Sequence, residues 1–176
     1  MELRDLIPSR EFVIETSWAP SVAAIEIKKR IGPSRWFGAG EEPFAGSQVS
    51  ETQFRFSRRI RYRNSFLPVI DATVEPSRDD GARVHVRMRL QSLVMAFMAF
   101  WLACATLGGL LAGVALLIRG QAAGLIGFGF PLFGVALMTI SFVLEARKAE
   151  TLLRDIFARA PGKAPALGTV ETAAYR

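Results

Sequence analysis

Two hydrophobic patterns divide this chain. Up to residue 90 apolar and polar positions tend to alternate; from residue 91 to residue 144 they are almost continuously apolar. Alternation marks a strand with one buried face. In residues 52–63 it sets Phe54, Phe56, Ile60 and Tyr62 on one face and Arg55, Arg59, Arg61 and Arg63 on the other, with Arg58 as the one break. In residues 81–90 it sets Val84, Val86, Met88 and Leu90 opposite Arg83, His85, Arg87 and Arg89. Between them LPVIDATVEP, residues 67–76, reads as a third strand bounded by prolines, and SRDDGA supplies the turn after it. Shorter strands are expected at 44–49 and 11–16. The segment from Ser17 to Pro33 suits a helix, although AIEIKKRI could also alternate as a strand. Residues 32–43 are expected to form a loop, whose Trp36 and Phe37 beside Arg35 either cover the sheet edge or reach a headgroup layer.

The apolar part predicts a helical hairpin. Residues 91–118 hold no ionisable side chain except the thiol of Cys104, residues 120–144 hold none, and Arg119-Gly120-Gln121 separates the two runs. Each run exceeds the roughly 20 residues that a helix needs to cross about 30 Å of hydrocarbon. In lipid the backbone must satisfy its own hydrogen bonds, so the runs read as transmembrane helices over about 91–118 and 122–144. Arg83, Arg87 and Arg89 precede the first, Arg147, Lys148 and Arg154 follow the second, and only Arg119 lies between. That asymmetry predicts both termini in the cytoplasm. Gly109 and Gly113 are four apart, as are Gly120 and Gly124; such spacing either packs the hairpin on itself or forms a homo-oligomer interface. Pro131 is expected to kink the second helix. After residue 144 helical character continues, with Leu152, Leu153, Ile156, Phe157 and Ala160 marking an apolar face that returns to the sheet. Residues 161–176, rich in Ala, Gly and Pro, are expected to be disordered.

Composition narrows the chemistry. A net charge of +6 with 51% apolar residues fits a membrane as readily as nucleic acid. One cysteine and one histidine exclude a disulfide framework and an ordinary Cys/His zinc site. The charged amino terminus lacks the apolar core of a signal peptide, so residues 1–90 are expected to begin in the cytoplasm. No nucleophile with a base, no carboxylate pair in apolar surroundings and no phosphate loop stands out. GAGEEP, residues 38–43, lacks the third glycine and the strand-to-helix context of a dinucleotide fingerprint. No cofactor is expected, and no catalytic residue.

The fold class expected is therefore α+β: an antiparallel sheet domain over 1–90, the hairpin over 91–144, and an amphipathic helix over 145–160. This element order resembles the helix-grip arrangement of START-like lipid-binding domains, with a membrane hairpin inserted before the closing helix; the resemblance would imply capture of an apolar ligand between sheet and helix. Over residues 44–157 the chain also resembles a family of small uncharacterised bacterial two-span membrane proteins. The resemblance rests on YRNSFLPVI at 62–70, RVHVRMRL at 83–90 and FVLEARK at 142–148. It implies the topology of a multi-pass protein of the bacterial inner membrane and transfers no catalytic residue.

One polar face carries Arg55, Arg59, Arg61, Arg63, Arg83, Arg87 and Arg89, against Asp71 and Glu75 as the expected cross-strand partners. This surplus points to an anionic lipid headgroup or an acidic protein partner; nucleic acid is disfavoured because the basic face is small and adjoins a membrane. The alternatives are an accessory subunit of a larger membrane complex and the apolar capture just described.

Overall fold

The computed structural model describes residues 8–33, 42–60, 62, 64–77 and 80–159. Arg61, Arg63, the Trp36-Phe37 pair and the expected tail lie outside them. Six strands form one sheet: β1 (Ser9–Thr16), β2 (Ile31–Pro33), β3 (Phe44–Gln48), β4 (Gln53–Arg58), β5 (Val69–Pro76) and β6 (Ala82–Arg89), in the order β1-β6-β5-β4-β3-β2. Three helices complete the fold: α1 (Pro20–Lys29), α2 (Ser92–Ile118) and α3 (Leu125–Ala158). Proline at the first helical turn starts α1, since its missing N–H has no partner to lose there.

The sheet is mixed, not purely antiparallel. Residues 31–33, expected as helix end and loop, form β2, which pairs parallel to β3. Three residues ending in proline are too short to show a period of two, so no sequence pattern announced this strand. β4 is also shorter than its alternation. Its ladder with β5 ends at Ser57↔Val69, because β5 starts only after Pro68, which has no N–H to donate.

One face of the sheet is the core. Phe54, Phe56, Ile70, Ala72, Val74, Val84, Val86 and Met88 are buried there, as the alternation required. α1 packs over β5 and β6. α3 crosses from the end of β4, where Glu145 meets Arg58, to β1, where Glu150 meets Arg10 (2.6 Å), and finishes with Phe157 against Trp18. The register gives the sheet two ends. Ser9, Arg58, Val69 and Arg89 lie at the end from which α2 departs; Thr16, Gln53, Pro76 and Ala82 lie at the far end.

α2 and α3 are both long and apolar enough, by length and composition, to cross a membrane. Unlike core helices, they leave most of that apolar surface exposed: Phe100, Leu111, Ile118, Ile126 and Leu132 are all two-thirds or more accessible. α3 is continuous for 34 residues and passes Pro131 without a break in helix.

Candidate functional site

The open face of the sheet carries the expected arginines, and their company changes its charge. β1 lies beside β6, so Glu11 and Glu15 come alongside a strand more than sixty residues away in sequence. Arg87 reaches Glu11 (2.9 Å), Arg83 reaches Glu15 (2.9 Å), and Arg55 and Arg89 share Asp71 at 2.6 and 3.0 Å. His85 lies 3.4 Å from Glu75 as a surface residue of its strand. Among the described open-face residues four arginines thus meet three carboxylates, with Glu75 as a fourth beside His85, so four arginines stand against four carboxylates and the cationic surplus expected from the sequence is not found there. Asp71 is the cross-strand partner that the alternation suggested; Glu75 pairs with the histidine instead of an arginine.

Arg59 is not on this face. The strand has ended before it, and its guanidinium donates to the Pro33 carbonyl (3.3 Å) and lies 3.7 Å from Glu42. Arg61 and Arg63 lie outside the described residues.

A second cluster forms on the core side, at the end of the sheet nearest the hairpin. Glu145 is the first charged residue of α3 after its apolar run and is only 3% exposed. Arg58 Nη2 donates to its Oε2 (2.6 Å), the Tyr62 hydroxyl donates to Oε1 (2.6 Å), and Lys148 Nζ donates to Oε1 (3.1 Å). Arg58 is the residue that broke the alternation of its strand. It occupies a core-side position beyond Phe54 and Phe56, and a guanidinium is tolerable there because a carboxylate from α3 meets it. That break, with a glutamate one residue past the apolar run, was the signal in the sequence; only the packing of α3 shows that the two answer each other. Burial would raise the Glu145 carboxyl, but the hydrogen bonds from Tyr62, Arg58 and Lys148 outweigh it and hold the group below the ordinary glutamate value. The hydrogen bond to Glu145, then burial, raises the Tyr62 hydroxyl above its usual value.

In the hairpin the glycines divide by role. An added methyl at Gly109 would collide with the Gly127 carbonyl, and one at Gly113 would come 2.8 Å from the Gly124 carbonyl. These four glycines bring α2 against the start of α3 within one chain. Gly120 packs against no described part of its own chain: nothing lies within 4 Å of where its Cβ would be. Its φ of +74° instead closes α2, with Gly120 N–H donating to Leu117 O (2.9 Å) and Gln121 N–H to Leu116 O (3.0 Å). That pair of bonds is a Schellman cap, which favours glycine because a left-handed residue with a side chain is strained. Gly109→Val is therefore expected to destabilise the hairpin by about 1–3 kcal/mol, read as a lower unfolding midpoint in detergent; an unchanged midpoint would show that the helices do not approach as described.

Two open depressions among the described residues lie away from the sheet–α3 interface. One, of about 490 Å³, is an apolar groove between α2 and α3 beside Thr106, Gly127 and Pro131. The other, of about 540 Å³, is a shallow polar hollow on the open sheet face around Asp71, His85 and Arg87. Between sheet and α3, Phe44, Phe54, Phe56, Phe142 and Met88 fill the interior with under 2% exposure each.

These features define a class: an α+β protein with a one-sided mixed sheet, fastened through its last helix to an apolar two-helix hairpin. Comparison with protein-family models, with curated proteins and with solved structures finds no match to the chain.

Proposed function

We propose that this is a two-span membrane protein that holds its sheet domain against the cytoplasmic face of the membrane as a non-catalytic binding or assembly module. The observation that carries the reading is α3. Its first part, residues 125–144, is apolar and largely exposed; the rest of the same unbroken helix buries Ala146, Ala149, Leu153, Ile156 and Phe157 in the core of the sheet domain. At 1.5 Å per residue that first part covers about 30 Å, the thickness of a hydrocarbon core. An apolar surface of this extent has no stable place in water. A helix without a joint between its two parts transmits the position of the hairpin to the sheet domain. The cations flanking the hairpin, with only Arg119 in its turn, favour the cytoplasmic orientation.

A topology experiment tests this. In a Cys104→Ala background, a membrane-impermeant thiol reagent added to intact cells is expected to label Gln121→Cys and to spare Asp80→Cys. The reverse pattern would overturn the orientation, and recovery of the protein in the soluble fraction would overturn the membrane reading.

The apolar groove on the hairpin favours a second reading, an accessory subunit whose partner helix lies beside Thr106 and Pro131. Recovery of a stoichiometric membrane protein with the solubilised chain would favour it over a solitary module.

A further inference from the structure

The cations that remain in excess lie at the end of the sheet from which the hairpin departs. A chain of contacts fixes this. Phe44 N–H donates to the Arg30 carbonyl at the end of α1 (3.2 Å), Phe44 pairs with Arg58 across β3 and β4, and Arg58 holds Glu145 of α3. The C-terminus of α1 and the point where α3 leaves its apolar run therefore share one end of the domain.

Each brings two exposed cations, Lys28 and Lys29 on α1 and Arg147 and Lys148 on α3. Lys29 shares the buried Glu26 with Arg30, and Lys148 shares the buried Glu145 with Arg58. One carboxylate does not neutralise two cations, so Glu145 leaves a positive charge over between Arg58 and Lys148. Neither Lys28 nor Arg147 has a carboxylate within 4 Å among the described residues. The opposite end has the other sign, with Glu15, Glu51, Glu75 and Asp80 against Arg83. Among the described residues the charge is thus polarised along the strands, positive toward the hairpin.

We infer that Lys28, Lys29, Arg147 and Lys148 form a rim that binds the phosphates of anionic phospholipids around the hairpin. The inference rests on the membrane reading above and names its partner. Arg147 follows Leu144, the end of the apolar run of α3, by three positions, and β6 ends three residues before α2 begins, so the rim faces the headgroup layer of a bilayer that the hairpin crosses. Lysine and arginine at such a surface attract anionic lipid at short range and are screened by salt. Tyr62, half exposed and bonded to Glu145 at the same end, suits the aromatic belt of that layer. The rim differs from the arginine face of the sheet, whose described members already hold carboxylates.

The full chain reconstituted in nanodiscs with trace spin-labelled phosphatidylglycerol or phosphatidylcholine tests this. The protein is expected to immobilise the anionic label about fivefold more than the zwitterionic one, and the preference should collapse at high salt. It should fall toward parity in Lys28→Gln/Lys29→Gln/Arg147→Gln. That variant leaves Arg58 and Lys148 on Glu145, and a folded state is checked by an unchanged melting midpoint. Arg83→Gln, at the far end, should leave the preference intact. Equal immobilisation by the wild type overturns the proposal, as does a preference that the triple variant retains or an acidic protein recovered on the rim instead of lipid. Failure to enter nanodiscs would instead overturn the membrane reading.

Discussion

Glu145→Ala is expected to lower the stability of the sheet domain by about 3–5 kcal/mol, the usual cost of removing one partner from a buried ion pair. The carboxylate is 3% exposed and receives three hydrogen bonds. Its removal leaves the Arg58 guanidinium, itself about one-fifth exposed, without its anion on the core side of the sheet. Chemical unfolding in mild detergent, followed by circular dichroism, measures the change. A loss below about 1 kcal/mol would show that water already screens the cluster and that Glu145 does not hold α3 to β4. Arg58→Ala should be milder, because Glu145 would keep Tyr62 and Lys148 as donors.

The same cluster gives stability a dependence on pH. The Glu145 carboxyl is held below its ordinary value in the folded chain, so the unfolded chain binds its proton more readily. Its contribution is present in full above the ordinary carboxylate range and is lost as the pH falls through the lower folded value. Tyr62 has the opposite sign: its raised hydroxyl contributes below the ordinary tyrosine range and is lost as the pH rises through the folded value. Glu145→Gln should flatten the acid limb of the stability profile. An acid limb unchanged in that variant would assign it to other carboxylates.

The second large effect separates two phenylalanines of one helix. Phe142→Ala is expected to cost about 3–5 kcal/mol and Phe133→Ala less than about 1 kcal/mol in detergent unfolding. Both lie in the apolar run of α3, yet Phe142 is 1% exposed within the core cluster and Phe133 is 63% exposed. Equal costs would mean that the last turn of that run does not pack on the sheet.

Composition could not have separated them, and the reason extends to the rest of the molecule. The alternation of Phe54 and Phe56 with Arg55, and of Val84, Val86 and Met88 with the arginines of β6, determined which face of the sheet is buried, because successive side chains of a strand point to opposite sides. The two runs without charge likewise determined two helices with apolar surfaces. The spacing of small residues left two readings open, and the backbone contact of Gly109 with Gly127 shows the one within the chain. For Gly120 spacing did not show its part in the turn, since a glycine needed for its left-handed conformation looks the same in sequence as one needed for close approach.

Tertiary structure alone decided the electrostatics. An ion pair depends on distance through space, and Glu11 with Arg87, Glu15 with Arg83 and Arg58 with Glu145 join segments that no local pattern connects. Counting arginines along β4 and β6 gave a surplus because the acidic partners on β1 lie at the other end of the chain's order. Once β1 closes the sheet, the described arginines of that face are matched in number by carboxylates, and exposed cations among the described residues remain at the helix ends beside the hairpin. What the sequence determined was which side of each element is greasy; which charges meet was settled only by the order of the strands.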